Sequence, residues 1–221
     1  MSYRYLSLSN TGLTELPDLS NLEYIKLLDL SDNKLTQING NYLPPNLAYL
    51  KCANNRIMKI YNLPKNLKCL HFSHNLVKKI DNLPPTLEYF IGDNNFISEL
   101  PIFTETLIHL QVSHNKLNKI IKLSKKLQYL AFYGNNIITL PELPNGLNIL
   151  AGHNNCIKFM PFIPPSVTKM TMHNNKLCTE CFGKNDEETI KRFNTIYKFN
   201  RTFYSQKIKN WIVSKCSKLN I

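Results

Sequence analysis

The sequence has no long apolar run. None of its stretches approaches the roughly 18 residues that a membrane-spanning helix needs, so no insertion into a membrane is expected. The opening MSYRYLSLSN lacks a basic start followed by an apolar core, so no secretory leader is expected either. Cysteine is sparse, with six in 221 residues, and lacks the dense pairing of a secreted disulfide framework. A reducing, cytoplasmic compartment is the expectation. The phosphate-cradling patterns GxxxxGK[ST] and GxGxxG are missing, as is the nucleophile elbow GxSxG, and no catalytic constellation stands in their place. No enzyme is expected, and no cofactor. Acid is also short: 15 Asp and Glu face 27 Lys and Arg, for a net charge of +12. That surplus raises nucleic acid or an acidic surface as a partner.

What the chain does have is a period. Asn33, Asn55, Asn75, Asn95, Asn115, Asn135, Asn155 and Asn175 recur at one constant spacing, apart from a slightly longer first interval. Each closes a segment L-x-x-L-x-L-x-x-N-x-L, as in Leu67, Leu70, Phe72, Asn75 and Val77, or Leu107, Leu110, Val112, Asn115 and Leu117. An earlier segment carries Leu6, Leu8 and Leu13, with Thr11 in the asparagine place. Nine coils follow, over about residues 3 to 181.

This pattern resembles the leucine-rich repeat family, in its short 20–22-residue form with linkers such as Leu140-Pro141-Glu142-Leu143-Pro144. That form is similar to the repeats of bacterial effectors and of proteins encoded by giant DNA viruses. The resemblance implies an α/β-class solenoid, with a curved parallel β-sheet on the concave face and extended, polyproline-like returns on the convex one. It also implies a protein-protein interaction module, acting inside a host cell if viral or effector-like. Some effectors of this kind carry a ubiquitin-ligase domain after the repeats. The forty residues left here are too few for one, and Cys181 lacks the acidic motif that follows those catalytic cysteines.

The physics agrees with the pattern. Alternation within L-x-L has the period of a strand, and one such strand cannot bury its apolar side alone, so coils must stack and share a core. The asparagine belongs at a bend, bonding backbone groups that the turn leaves unpaired. Prolines gather in the returns, at Pro44-Pro45, Pro84-Pro85 and Pro164-Pro165 among others, where they favour extended chain. We expect a solenoid over 1–181 and an α-helical C-terminal cap over 182–221. Asn185 before Asp186, Glu187 and Glu188 reads as a helix start; Ile190, Phe193 and Tyr197 then recur at helical spacing, as do Ile208, Trp211 and Ile212. At the other end, strand Tyr3–Leu8 would be an exposed edge, open to self-association or to a partner.

Function is expected on the concave face, where packing leaves residue choice free. Its first strand position runs Tyr5, Leu27, Tyr49, Cys69, Tyr89, His109, Tyr129, Ile149, Lys169. Alternate places through Tyr129 are tyrosine, a residue that dominates binding hot spots, although such a ladder can equally just shield the sheet from water. Tyr49, Tyr89 and Tyr129 are therefore the expected contacts with a protein partner of unknown identity, with Lys51, His109, His153, His173 and Lys169 as polar selectors. His153 and His173 share one position in adjacent coils, about 5 Å apart, but nothing nearby supplies further ligands, so no metal is expected. Cys178-x-x-Cys181 is a lone pair that Cys216 could join in the folded cap; metal binding and simple burial both stay open there.

Splitting the charge tests the nucleic-acid reading. Residues 1–50 carry −2, 51–130 carry +7, 131–181 carry +1 and 182–221 carry +6. Many middle lysines, such as Lys59, Lys78, Lys79, Lys119, Lys122 and Lys125, fall in the returns, where solubilising charge is the plain explanation. The tail remains as an alternative: a basic adaptor for nucleic acid or acidic surfaces through Lys191, Arg192, Lys198, Arg201, Lys207 and Lys209. The concave tyrosines are the stronger expectation.

Overall fold

Eight buried residues set the architecture. Leu28, Leu50, Leu70, Phe90, Leu110, Leu130, Leu150 and Met170 are each the middle residue of a three-residue strand, and all face the core. The computed structural model describes residues 4–80, 82–177 and 185–198. Within them, β1 (Tyr5–Ser7), β2 (Leu27–Asp29), β4 (Tyr49–Lys51), β6 (Cys69–His71), β7 (Tyr89–Ile91), β8 (His109–Gln111), β9 (Tyr129–Ala131), β10 (Ile149–Ala151) and β11 (Lys169–Thr171) form one parallel sheet in that order. Every strand meets its neighbour in register, one coil apart, as Tyr89↔His109 and His109↔Tyr129 do. The edge strand expected over Tyr3–Leu8 is described as β1, three residues long.

The repeat asparagines hold the coils together. Asn115 is typical: its Nδ2 donates to Gly92 O of the preceding coil at 2.9 Å and to Val112 O of its own at 3.1 Å, while its Oδ1 accepts from Ile97 N at 2.9 Å. The same three links recur at Asn75, Asn95, Asn135 and Asn155. In the first coil, Thr11 Oγ1 donates to Leu8 O at 2.7 Å, which replaces the bond each asparagine makes within its own coil. The residue before the asparagine has positive φ throughout, at Asp32, Asn54, His74, Asn94, His114, Gly134, Asn154 and Asn174. Asn, Asp, His and Gly tolerate that conformation best, so His74 and His114 are there for the turn.

The returns are extended, with one addition. β3 (Gln37–Asn39) and β5 (Lys59–Tyr61) pair as a small parallel sheet on the convex side, followed in the longer second coil by a 3-10 turn over Gly40–Tyr42. In three of the later coils Pro101, Pro141 and Pro161 remove the amide at the place that Tyr61 holds in β5, which keeps such pairing out of them.

Helix α1, over 186–198, covers the last coil. Asn185 caps it, its Oδ1 accepting from Glu188 N at 2.9 Å. Two side chains then tie the helix to the solenoid. Asp186 accepts from Met170 N of β11 at 3.1 Å, and Asn194 bonds both Ile163 N and Ile163 O at 2.8 Å. Phe193 is buried beneath it and Ile190 is packed against the core. The second expected helical segment, with Ile208, Trp211 and Ile212, lies outside the described residues, as do Cys178, Cys181 and Cys216.

Candidate functional site

Side chains on the sheet's outer side stand in columns, because in-register pairing stacks equivalent residues of successive coils. The first column holds Tyr89, His109 and Tyr129 as one run of rings. Tyr89 and His109 have centroids 5.8 Å apart and tilted, and His109 and Tyr129 lie 4.1 Å apart and within 3° of parallel. The expected tyrosine ladder is thus continuous here, with His109 filling the gap between two tyrosines. Tyr49 stands apart on β4, 41% exposed, with Cys69 between it and Tyr89.

A second run lies four residues further along each coil, in the turn after the strand. Tyr133 stacks on His153 at 4.4 Å and 8°, and His153 meets His173 at 4.6 Å and 42°. His114 approaches the Tyr133 ring edge-on at 5.1 Å. Tyr133 was not among the residues expected from sequence. The signal was available, because one coil back from His153 the same position is Tyr133. Between the two runs the column is small or neutral: Gln111, Ala131 and Ala151. Lys51 and Lys169 are exposed, on β4 and at the far strand β11, so the polar selectors are spread along the sheet while the rings are gathered in its C-terminal half.

Burial first, and then the neighbouring His173 and His114, holds His153 below the usual imidazole range. Burial does the same at His109, against an opposing hydrogen bond with Gln111 and the charge of Asp93. His71 is lowered by burial and then by Lys51. From β7 to β10 no strand residue is lysine or arginine. Glu88 pairs with Lys68 at 2.9 Å, and buried Asp93 accepts from Ser113 N at 2.6 Å and from Gln111 Nε2. Cys69, the one cysteine among the described residues on a strand of this face, has its thiol pushed up to about 11 by burial, so it is not a ready nucleophile. Among the described residues no group of three or more His, Cys, Asp or Glu is placed to hold a metal ion, and no helix is long and apolar enough to cross a membrane.

Parallel strands in register, an asparagine ladder and short extended returns decide the architecture. The fold is that of the leucine-rich repeat proteins. No family model and no curated protein matches the chain. Solved structures do. YopM, a leucine-rich effector protein from Yersinia pestis, is 29% identical with a TM-score of 0.71, over 79% of this chain and 50% of that one. A Shigella effector leucine-rich repeat domain is 26% identical with a TM-score of 0.61, over 80% of this chain and 72% of that one. The functional domain of InlJ from Listeria monocytogenes is 25% identical with a TM-score of 0.63, over 79% of this chain and 42% of that one. The chain thus spans about half of Yersinia pestis YopM, and 39% of YopM from Yersinia enterocolitica. Two of these likenesses, to YopM and to the Shigella domain, are to leucine-rich effector proteins.

Proposed function

We propose that this leucine-rich repeat chain is a non-enzymatic, intracellular module that binds a protein partner on its concave face, through the C-terminal half of the sheet. The observation that carries this reading is the pair of ring runs, Tyr89–His109–Tyr129 and Tyr133–His153–His173. Rings already stacked on one another lose little rotamer freedom on binding, so their polar edges and apolar bodies are preorganised for contact. The scaffold itself does not require them, since the same positions elsewhere hold Leu27, Cys69 and Ile149, or Ser31, Ser73 and Ser113. The partner would lie across Ala131 and Ala151, and Tyr49, Lys51 and Lys169 would meet its periphery.

Replacing Tyr89 and Tyr129 together by alanine tests the assignment. Capture of a partner from lysate of the native host, or cross-linking to it, should fall at least tenfold while the circular dichroism spectrum stays unchanged. Undiminished capture by the folded variant removes the concave face from the function.

The basic-tail alternative rests on Arg201, Lys207 and Lys209, which lie outside the described residues; of its helical part, Arg192 is bonded to Glu188 at 2.6 Å. Self-association keeps one supporting observation, that β1 pairs only with β2 among the described residues. A dimeric mass in light scattering, reduced by Leu6→Lys, would support it.

A further inference from the structure

The convex side holds a recess of about 330 Å³ between two returns. Leu100, Phe103 and Leu123 supply its apolar lining, and Ile102 and Ile121 stand at its rim. These two isoleucines are the most exposed large apolar residues among those described, at 94% and 77%. Single exposed apolar residues are ordinary on a protein surface, but two on successive coils opening on one recess are a patch.

The repeat supplies an internal control for that patch. Residues 62, 82, 122 and 142 occupy the position of Ile102 in other coils, and they are Asn, Asn, Lys and Glu. In the coil next to the cap the position is Phe162, whose ring meets Tyr197 of helix α1 at 6.0 Å and so has a partner within the chain. The position of Ile121 is Tyr61, Asp81, Pro101, Pro141 and Pro161 elsewhere. The fold therefore builds the same return with polar residues or proline, and packing does not ask for isoleucine at either place.

Charge around the recess is uneven. Lys119 and Lys122 line it, and Lys125 and Lys126 follow directly after its Ser124. Two carboxylates oppose them: Glu99, also in the lining, and Glu105, which pairs with Lys122 at 3.3 Å and accepts from Lys125 N at 2.6 Å. Between Glu105 and Glu142 the chain carries five lysines and no acidic residue, so lysines outnumber carboxylates around the recess.

We propose that this convex recess is a second docking site, taking an acidic segment of a protein partner that seats one apolar side chain between Ile102 and Ile121. The volume suits a single large side chain, and the lysine flank selects carboxylates beside it. A recess with a largely apolar lining favours such an anchor over a lipid surface, which would need only the projecting side chains. The site is separate from the concave face, so it stands or falls independently of the reading above.

Panning a random peptide library of dodecamers against the folded chain tests the assignment. Recovered peptides should carry two or more Asp or Glu beside an aromatic or branched aliphatic residue. Their affinity should fall at least tenfold for Ile102→Ser/Ile121→Ser and for Lys119→Glu/Lys126→Glu, the latter loss shrinking at high salt. All four residues are exposed, so the variants should keep the wild-type unfolding midpoint. The Tyr89→Ala/Tyr129→Ala variant should bind the peptides as the wild type does. Peptides with no acidic enrichment, or binding that survives both variants, overturn the proposal. So does Ile102-dependent sedimentation with vesicles of phosphatidylcholine mixed with phosphatidylserine in place of peptide capture, which would reassign the patch to a lipid surface.

Discussion

One asparagine amide makes four bonds to the backbone of two coils, and its removal shows what the ladder contributes. Asn115→Ala would leave Ile97 N without its acceptor in the buried interior, and would take one of two asparagine donors from Gly92 O and from Val112 O, which keep Asn95 and Asn135. One buried donor left unsatisfied costs about 1–3 kcal/mol and the thinned carbonyl bonding adds to it, so a loss of about 2–4 kcal/mol is expected after relaxation. The midpoint and slope of urea unfolding measure it. Asn115→Asp should cost a similar amount, because a carboxylate has no hydrogens to give. The histidines carry the other residue-scale effect. His71, His109 and His153 sit below the ordinary imidazole range, chiefly through burial. The unfolded chain therefore takes up protons first as pH falls below about 6.5. Stability from the neutral rings is fully present above that value and is lost as pH drops toward their folded-state pKa values. Thermal unfolding should shift to lower temperature between pH 7.5 and 5.5, and less so in a His71→Gln/His109→Gln/His153→Gln variant.

Among the elements, the strands were legible and their fine packing was not. The repeat phase placed all nine strands of the main sheet, because the spacing of Leu70, Phe90 and Leu110 is itself the stacking distance expressed in residues. The β3–β5 pair escaped notice, since it is a relation between two neighbouring returns that the pattern within one coil does not contain. The core column Phe72, Gly92, Val112, Phe132, Gly152, Met172 hid a similar relation. A β-carbon on Gly152 would lie 2.3 Å from Phe132 Cζ, and one on Gly92 would lie 2.3 Å from Phe72 Cζ, so each phenylalanine ring occupies the space its neighbour's glycine leaves. Restoring the repeat consensus with Gly152→Leu should accordingly destabilise, by about 1–3 kcal/mol or more, as overpacking does. Adding Phe132→Val should recover most of that loss. A double-mutant cycle in denaturant reads the coupling, and additive effects would disprove the compensation.

For the whole molecule, the consequence of stacking is that stability is local. Each coil touches only its neighbours, so damage at one end need not reach the other. The same geometry explains how the candidate site could be read in part. Tyr89 and Tyr129 were visible because they lie inside the strand triplet, whereas Tyr133 lies in the turn beyond it, where other coils carry Ser73, Asp93 and Ser113. It joins the site through its ring contacts with His114 and His153. Helix α1 closes the C-terminal end by two polar ties, at Met170 N and at Ile163, and by the buried ring of Phe193. Phe193→Ala would remove that ring from the cap, at about 3–5 kcal/mol for a buried phenylalanine. The loss should not spread evenly. β10 and β11, next to the helix, should lose amide protection in hydrogen exchange, while β2, β4 and β6 keep theirs; the denaturant slope should fall as unfolding ceases to be one step. Because His153 and His173 belong to the weakened coils, their half of the ring surface should loosen as well. Partner capture should then drop without any change to Tyr89 or Tyr129. Uniform loss of protection from β1 to β11 would instead mean that the coils unfold as one body.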